Sequence, residues 1–228
     1  MTRRTNARIA GITFLIYIAV AMTGMILENR AASGEGTAAK LASIAQHESE
    51  MRVAVVFAML GCFCALVLAV TLYSITRDQD PDLAMLVLVF RAAEGAIGAV
   101  SLSMPLGQLW LATATGANAP DPAAASALGA VLLNLESSTS TLTASFFAVG
   151  SLVFSWLLLR GRIVPAVLAW VGLVASVLVV LILPLQLVGV LKSPITDLMW
   201  VPMLAFEVPL GFWLIIKSVA MPPRRQLA

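Results

Sequence analysis

Long apolar stretches alternate with short polar breaks along the whole chain. They run from Ile9 to Leu27, Val53 to Ile75, Leu83 to Leu111, Ala123 to Leu159, Ile163 to Leu183 and Leu198 to Ile216. A helix rising about 1.5 Å per residue needs roughly 20 apolar residues to cross a hydrocarbon layer of about 30 Å. Each stretch meets that length. The pattern therefore predicts an all-α polytopic membrane helical bundle of about six transmembrane helices, with residues 1–228 forming a single integral membrane domain.

The third and fourth stretches are longer than a span needs. Pro105 is expected to bend or end the third, because proline removes a backbone donor. The alanine-rich segment Pro122 to Ala130 either lies outside the membrane or continues the fourth stretch as a tilted helix. The longest polar connection, 28–50, is expected on the outer side. In it, Ser33-Gly34-Glu35-Gly36 reads as a turn, and Ala38, Leu41, Ile44 and Ala45 recur at helical spacing. That spacing predicts a short amphipathic helix over 37–46 on the membrane surface. Asp80 before Pro81 has the form of a helix N-cap.

Composition agrees with a lipid solvent. Hydrophobic residues make up 60 % of the chain and charged residues 11 %, against about 25 % charged in a soluble domain. The net charge of +2 is too small to point to nucleic acid. The basic residues instead mark membrane edges. Arg3, Arg4, Arg8, Arg77, Arg160, Arg162, Lys217, Arg224 and Arg225 fall on one side, and only Arg30, Lys40, Arg52 and Lys192 on the other. This bias predicts cytoplasmic N- and C-termini in the inner, cytoplasmic membrane of the cell. The three arginines before Ile9, and the small residues Ala31-Ala32-Ser33, resemble parts of a signal peptide. The apolar run between them exceeds the roughly 7–15 residues of a signal core, so a retained helix is expected.

Three charges stand out inside the predicted spans: Arg91, Glu94 and Glu207. An embedded charge costs roughly 2.5–3.5 kcal/mol on insertion scales unless it is paired or hydrated. Arg91 and Glu94, three residues apart, share a helix face. Counted from Leu83, they lie roughly 12 and 16 Å deep, and Glu207 lies roughly 13 Å from Leu198. A cluster joining the third and sixth helices is therefore feasible. With all three groups ionised it carries a surplus negative charge, met either by a proton on one glutamate or by a further cation. Two readings stay open. One is a binding site for a proton, a cation or a small solute; the other is a structural salt bridge that fixes helix packing.

Glu136 and Ser140 belong to a polar run, 134–145, in the fourth stretch. Such a run suits a water-lined cavity with Glu136 near its outer end and Ser140 as a ligand contact. It equally suits close packing, because Ser and Thr hydrogen-bond back to their own helix. Gly95, Gly98 and Ala99, and Gly172 with Ser176, allow a neighbouring helix to approach closely. Pro202 and Pro209 flank Glu207 and can free backbone carbonyls beside it. Trp110, Trp170, Trp200 and Trp213 are expected as interfacial anchors. Cys62 and Cys64, two residues apart on a helix, point to different sides, so a disulfide or shared metal is not expected.

Several chemistries are excluded. His47, the only histidine, lies in the polar connection 28–50, which rules out haem between two imidazoles and the H-E-x-x-H metalloprotease pattern. No Gly-rich phosphate loop or dinucleotide fingerprint occurs. Catalysis would rest on carboxylates and Arg91 alone, so an enzyme is the least supported class. No catalytic residue, cofactor or metal ligand is expected.

Three segments carry a family resemblance: Ala7-Arg8-Ile9-Ala10-Gly11-Ile12-Thr13-Phe14-Leu15-Ile16, then Phe90-Arg91-Ala92-Ala93-Glu94, then Phe206-Glu207-Val208-Pro209-Leu210-Gly211-Phe212-Trp213-Leu214-Ile215-Ile216-Lys217. In that order, over nearly the whole chain, they resemble a bacterial membrane family named domain of unknown function 4386. The resemblance implies a bacterial multi-pass membrane protein and brings no catalytic residues with it. Its segments include Arg91, Glu94 and Glu207, which the cost of embedded charge selects independently. The expected function is to bind or move a small solute or ion through a polar core of these three residues, with Glu136 and Ser140 as further contacts. The alternative is a regulatory or scaffolding membrane protein held together by the same charges. The expected partners are the lipid bilayer and a small molecule or cation, not nucleic acid; a homo-oligomer is left open.

Overall fold

The computed structural model describes residues 2–116, 119–191 and 195–218. Lys192, Arg224 and Arg225, part of the charge pattern above, lie outside them. The described chain is all-helical: α1 (Arg3–Ala31), α2 (Thr37–Gln46), α3 (Glu48–Thr76), α4 (Pro81–Ser101), α5 (Ser103–Thr113), α6 (Pro122–Arg160), α7 (Ala166–Leu187), α8 (Ile195–Leu198) and α9 (Trp200–Ile216). Six helical segments, with α4 and α5 taken together and α8 joined to α9, are long and apolar enough to cross a membrane. They correspond one to one with the apolar stretches. The chain is a multi-pass membrane protein.

Boundaries differ from the apolar pattern for local reasons. Arginine and glutamate are good helix formers, and they carry α1 and α3 beyond their apolar runs at both or one end. The third stretch breaks at Leu102, ahead of the proline. Pro105 has no N–H to offer the Ser101 carbonyl four residues back, so α4 stops at Ser101. The next helix then takes Pro105 into its first turn, where a missing donor costs little. The alanine-rich segment continues α6, whose start is capped by Asp121: Oδ1 accepts from the Ala123 and Ala124 N–H groups at 2.9 Å each.

The chain divides into two compact units. The first comprises Met1–Ile16, Cys64–Glu94 and Ala144–Ala228, and the second Tyr17–Phe63 and Gly95–Thr143.

In the first unit Phe14, Leu68, Leu72, Ile75, Phe154, Leu157 and Phe206 are fully buried. Two glycines set helix spacing. A Cβ on Gly11 would stand 2.6 Å from the Gly211 carbonyl oxygen, so α1 and α9 touch backbone to backbone there. A Cβ on Gly172 would meet the Phe206 ring at 2.5 Å, which seats that ring on α7.

A polar end closes the same unit. Arg3 donates from Nε and Nη2 to the Ile75 carbonyl at 3.1 and 2.8 Å, covering the last turn of α3. Its Nη1 lies 3.8 Å from Asp78. Asp80 is the N-cap of α4: its Oδ1 accepts from the Leu83 N–H at 3.2 Å, and its Oδ2 accepts from Arg160 at 3.0 Å. The Leu83 N–H first, and Arg160 after it, hold the Asp80 carboxyl below the usual aspartate range.

In the second unit Ala31, Ile44, Met51 and Leu109 form a core, with Ala32 and Ala112 packed against it. The predicted amphipathic helix is present as α2, with Leu41 and Ile44 buried. Leu41 and Ile44 turn toward protein while Ala38 and Ala45 stay exposed: the helix packs on α5, and a Cβ on Gly129 would touch Thr37 and Leu41 at 2.8 and 3.1 Å. Across the chain, Val70, Val89, Val174, Leu181 and Phe212 stand exposed. Lipid is the solvent in which such a surface is ordinary.

Candidate functional site

Arg91 lies about ten residues into α4, roughly 15 Å from its start. Its guanidinium meets both predicted partners inside the first unit. Nη1 donates to Glu94 Oε2 at 2.8 Å, one turn along the same helix. Nη2 lies 3.5 Å from Oε1 of Glu207 on α9. The first is a short charge-assisted hydrogen bond; the second is an ion pair too long for a good hydrogen bond. The three side chains are only 1 %, 2 % and 5 % exposed. Glu207 thus has the looser share of one cation while being fully enclosed.

The walls of this site are aromatic. The Arg91 guanidinium carbon stands 4.5 Å from the Phe147 ring centre and 5.8 Å from that of Phe14. Ring faces carry negative charge density and attract the cation further. Phe14 leans on Phe154 at 6.5 Å, and Phe147 on Trp200 at 5.9 Å. Trp200 therefore packs on a wall of the site, whereas Trp110 and Trp170 are exposed as anchors would be. Gly150 on α6 makes room for the arginine stem: a Cβ there would lie 3.7 and 3.8 Å from Arg91 Cγ and Cδ, and 3.2 Å from Phe90 Cβ. Pro209 removes one backbone donor from α9 two residues after Glu207.

Glu136 belongs to the second unit, where it has other company. Gln108 on α5 donates from Nε2 to Glu136 Oε2 at 2.6 Å, and the carboxyl of Glu28 on α1 lies beside that of Glu136. Glu28 also lines a small cavity of about 20 Å³, walled by Met51, Ala54, Val55, Ala58 and Pro105. That is room for about one water. Ser140 is exposed on α6, and the neighbouring Thr141 is the buried hydroxyl. The rest of the polar run largely satisfies itself: Ser138, Thr139, Thr141 and Thr143 donate to carbonyls one turn back at 2.8–3.0 Å.

A family model matches residues 9–218, a region that contains Arg91, Glu94 and Glu207. The chain belongs to the family described as Domain of unknown function (DUF4386). None of the curated proteins and none of the solved structures matches it. The family's description names no reaction and no ligand, so the chemistry of this DUF4386 member rests on its own geometry.

Gln108, Glu28, Phe14, Phe147 and Gly150 were not singled out by sequence reasoning. Gln108 carried a signal, being an amide inside an apolar stretch. Glu28 ends the first apolar stretch and so reads as a wetted loop acid; α1 in fact continues to Ala31 and presents it to α6. Phe14 and Phe147 look like any other apolar side chain until the guanidinium is placed. Among the described residues no group of three His, Cys, Asp or Glu comes together to hold a metal.

Proposed function

We propose that this membrane protein binds a proton or a small monovalent cation at Arg91, Glu94 and Glu207, and that this binding is the chemical step by which it handles ions. The carrying observation is that two enclosed carboxylates share a single guanidinium, with Glu207 held at 3.5 Å and Glu94 at 2.8 Å. With all three ionised a negative charge is left over in a medium where it costs several kcal/mol. A proton on Glu207, or a cation beside it, removes that surplus. The enclosure of all three side chains favours an ion over a bulky organic solute. The basic bias of the loops supports cytoplasmic termini and a place in the cytoplasmic membrane.

Currents from proteoliposomes on a solid-supported membrane, after jumps of pH, Na⁺ or K⁺, test this reading. Wild-type protein should give a charge displacement that Glu207→Gln loses while still inserting and folding, Arg91 keeping Glu94 as its partner, and that the Glu94→Gln/Glu207→Gln double variant also loses. An unchanged displacement in the double variant would remove the idea.

A second reading, a regulatory or scaffolding protein in which the triad is a lock between α4 and α9, is favoured by the fit of Phe14, Phe147 and Gly150 around Arg91. It predicts no ion-driven displacement in the wild type, together with severe destabilisation of Arg91→Ala.

A further inference from the structure

We propose that Arg4 and Arg8 on α1, with Lys217 at the end of α9, bind the headgroup of an anionic phospholipid whose chains lie along the neighbouring isoleucines. At this end of the first unit Asp78 lies beside Arg3 and Asp80 accepts from Arg160, while Asp82 is exposed in the first turn of α4. Arg4, Arg8 and Lys217 stay exposed, and among the described residues no acidic side chain lies within ion-pair distance of them.

Their positions put them at one end of the α1–α9 pair. Arg4, Arg8, Ile12 and Ile16 recur every fourth residue, so they form one stripe along α1. All four are outward-facing or partly so, with Ile12 and Ile16 each 48 % exposed. On α9, Phe212 and Ile216 are likewise four apart and exposed, and Lys217 follows. The two helices meet where Gly11 faces Gly211, with Leu214 and Ile215 next to the same glycine. Arg8 is one turn before that contact on α1, and Lys217 lies just beyond Ile215 on α9. The cations therefore converge at one end, above an apolar surface. Positive charge that passes directly into exposed aliphatic surface matches an anionic headgroup with its chains. A free phosphate would use the charges alone.

The test is native mass spectrometry of the purified full chain with phosphatidylglycerol or phosphatidylcholine titrated into the detergent. Wild type should retain the anionic lipid preferentially. Removing each cation should cost about fivefold in that preference, so Arg4→Gln/Arg8→Gln/Lys217→Gln should lose it by tenfold or more. Arg52→Gln, near the opposite end of α3 and paired with Glu48, should keep it. Inorganic phosphate at matched ionic strength should not compete. Equal retention of both lipids by the wild type would overturn the proposal without recourse to any variant. Full competition by inorganic phosphate would overturn the assignment to lipid, and an unchanged preference in the triple variant would overturn the choice of residues.

Discussion

In the first unit Glu94 and Glu207 both face the Arg91 guanidinium and are sealed to 5 % exposure or less. In the second unit Glu136 takes its hydrogen bond from the neutral amide of Gln108, has a second carboxyl, Glu28, beside it, and remains part-exposed. A cation permits full enclosure of carboxylates, because their charge is answered inside the protein. Without one, the carboxyls keep contact with their surroundings and a water-sized cavity stays open beside Glu28. Only the first arrangement sets two enclosed carboxyls against one guanidinium, and for that reason it is the better candidate for ion chemistry.

The comparison breaks most sharply at Arg91. Arg91→Leu leaves two enclosed carboxylates without a counter-charge and should cost about 3–5 kcal/mol, seen as a collapse of the thermal midpoint in detergent. Adding Glu94→Gln and Glu207→Gln should restore much of it, and an unaltered midpoint in the single variant would show the pairing to be incidental. Gly150→Val should follow, costing about 1–3 kcal/mol by crowding Phe90 and the arginine stem; a midpoint equal to wild type would mean α6 can step back freely. In the second unit Gln108→Leu removes the donor to Glu136 and should cost about 1–3 kcal/mol. Glu28→Gln in that unit should be neutral or stabilising, since it replaces one of two neighbouring carboxyls by an amide that can donate to Glu136. If Glu28→Gln instead proves as damaging as Arg91→Leu, the contrast between the units fails.

The smallest effect belongs to Asp80, at the unit's exposed polar end. Its carboxyl is held below the ordinary aspartate range by the Leu83 N–H and by Arg160. The contribution is therefore complete above about pH 4 and is lost as pH falls through that value toward the folded one. Asp80→Asn should lower the midpoint slightly at neutral pH and flatten its decline in acid. An equally steep acid decline in the variant would assign that decline elsewhere.

The spans were legible because a helix crossing lipid needs a long apolar run and satisfies its backbone groups within its own segment. The charges in α4 were legible for the same reason: Arg91 and Glu94 are expensive anywhere in a span, and their spacing pairs them. Partners across helices were less so. Glu207 could be placed at a compatible depth, but its longer distance to Arg91 depends on how α9 approaches α4. The contacts of Glu28 depend on where α1 stops, and helix ends are set by polar residues that hydropathy does not rank. Ser140 and Thr141 are equally polar neighbours in sequence, and only the rotation of α6 decides which of them is buried.

The surplus charge in the first unit is tested most directly by Glu207→Gln, which leaves Arg91 and Glu94 as a neutral pair. The measurement is the thermal midpoint of purified wild type and variant between about pH 5 and 8, above the acid response of Asp80, with Na⁺ or K⁺ varied at constant ionic strength. The wild-type midpoint should rise as protons or the fitting cation are supplied, and the variant should be stable and indifferent to both. A wild type that ignores protons and cations, or a variant that answers them equally, would contradict the account.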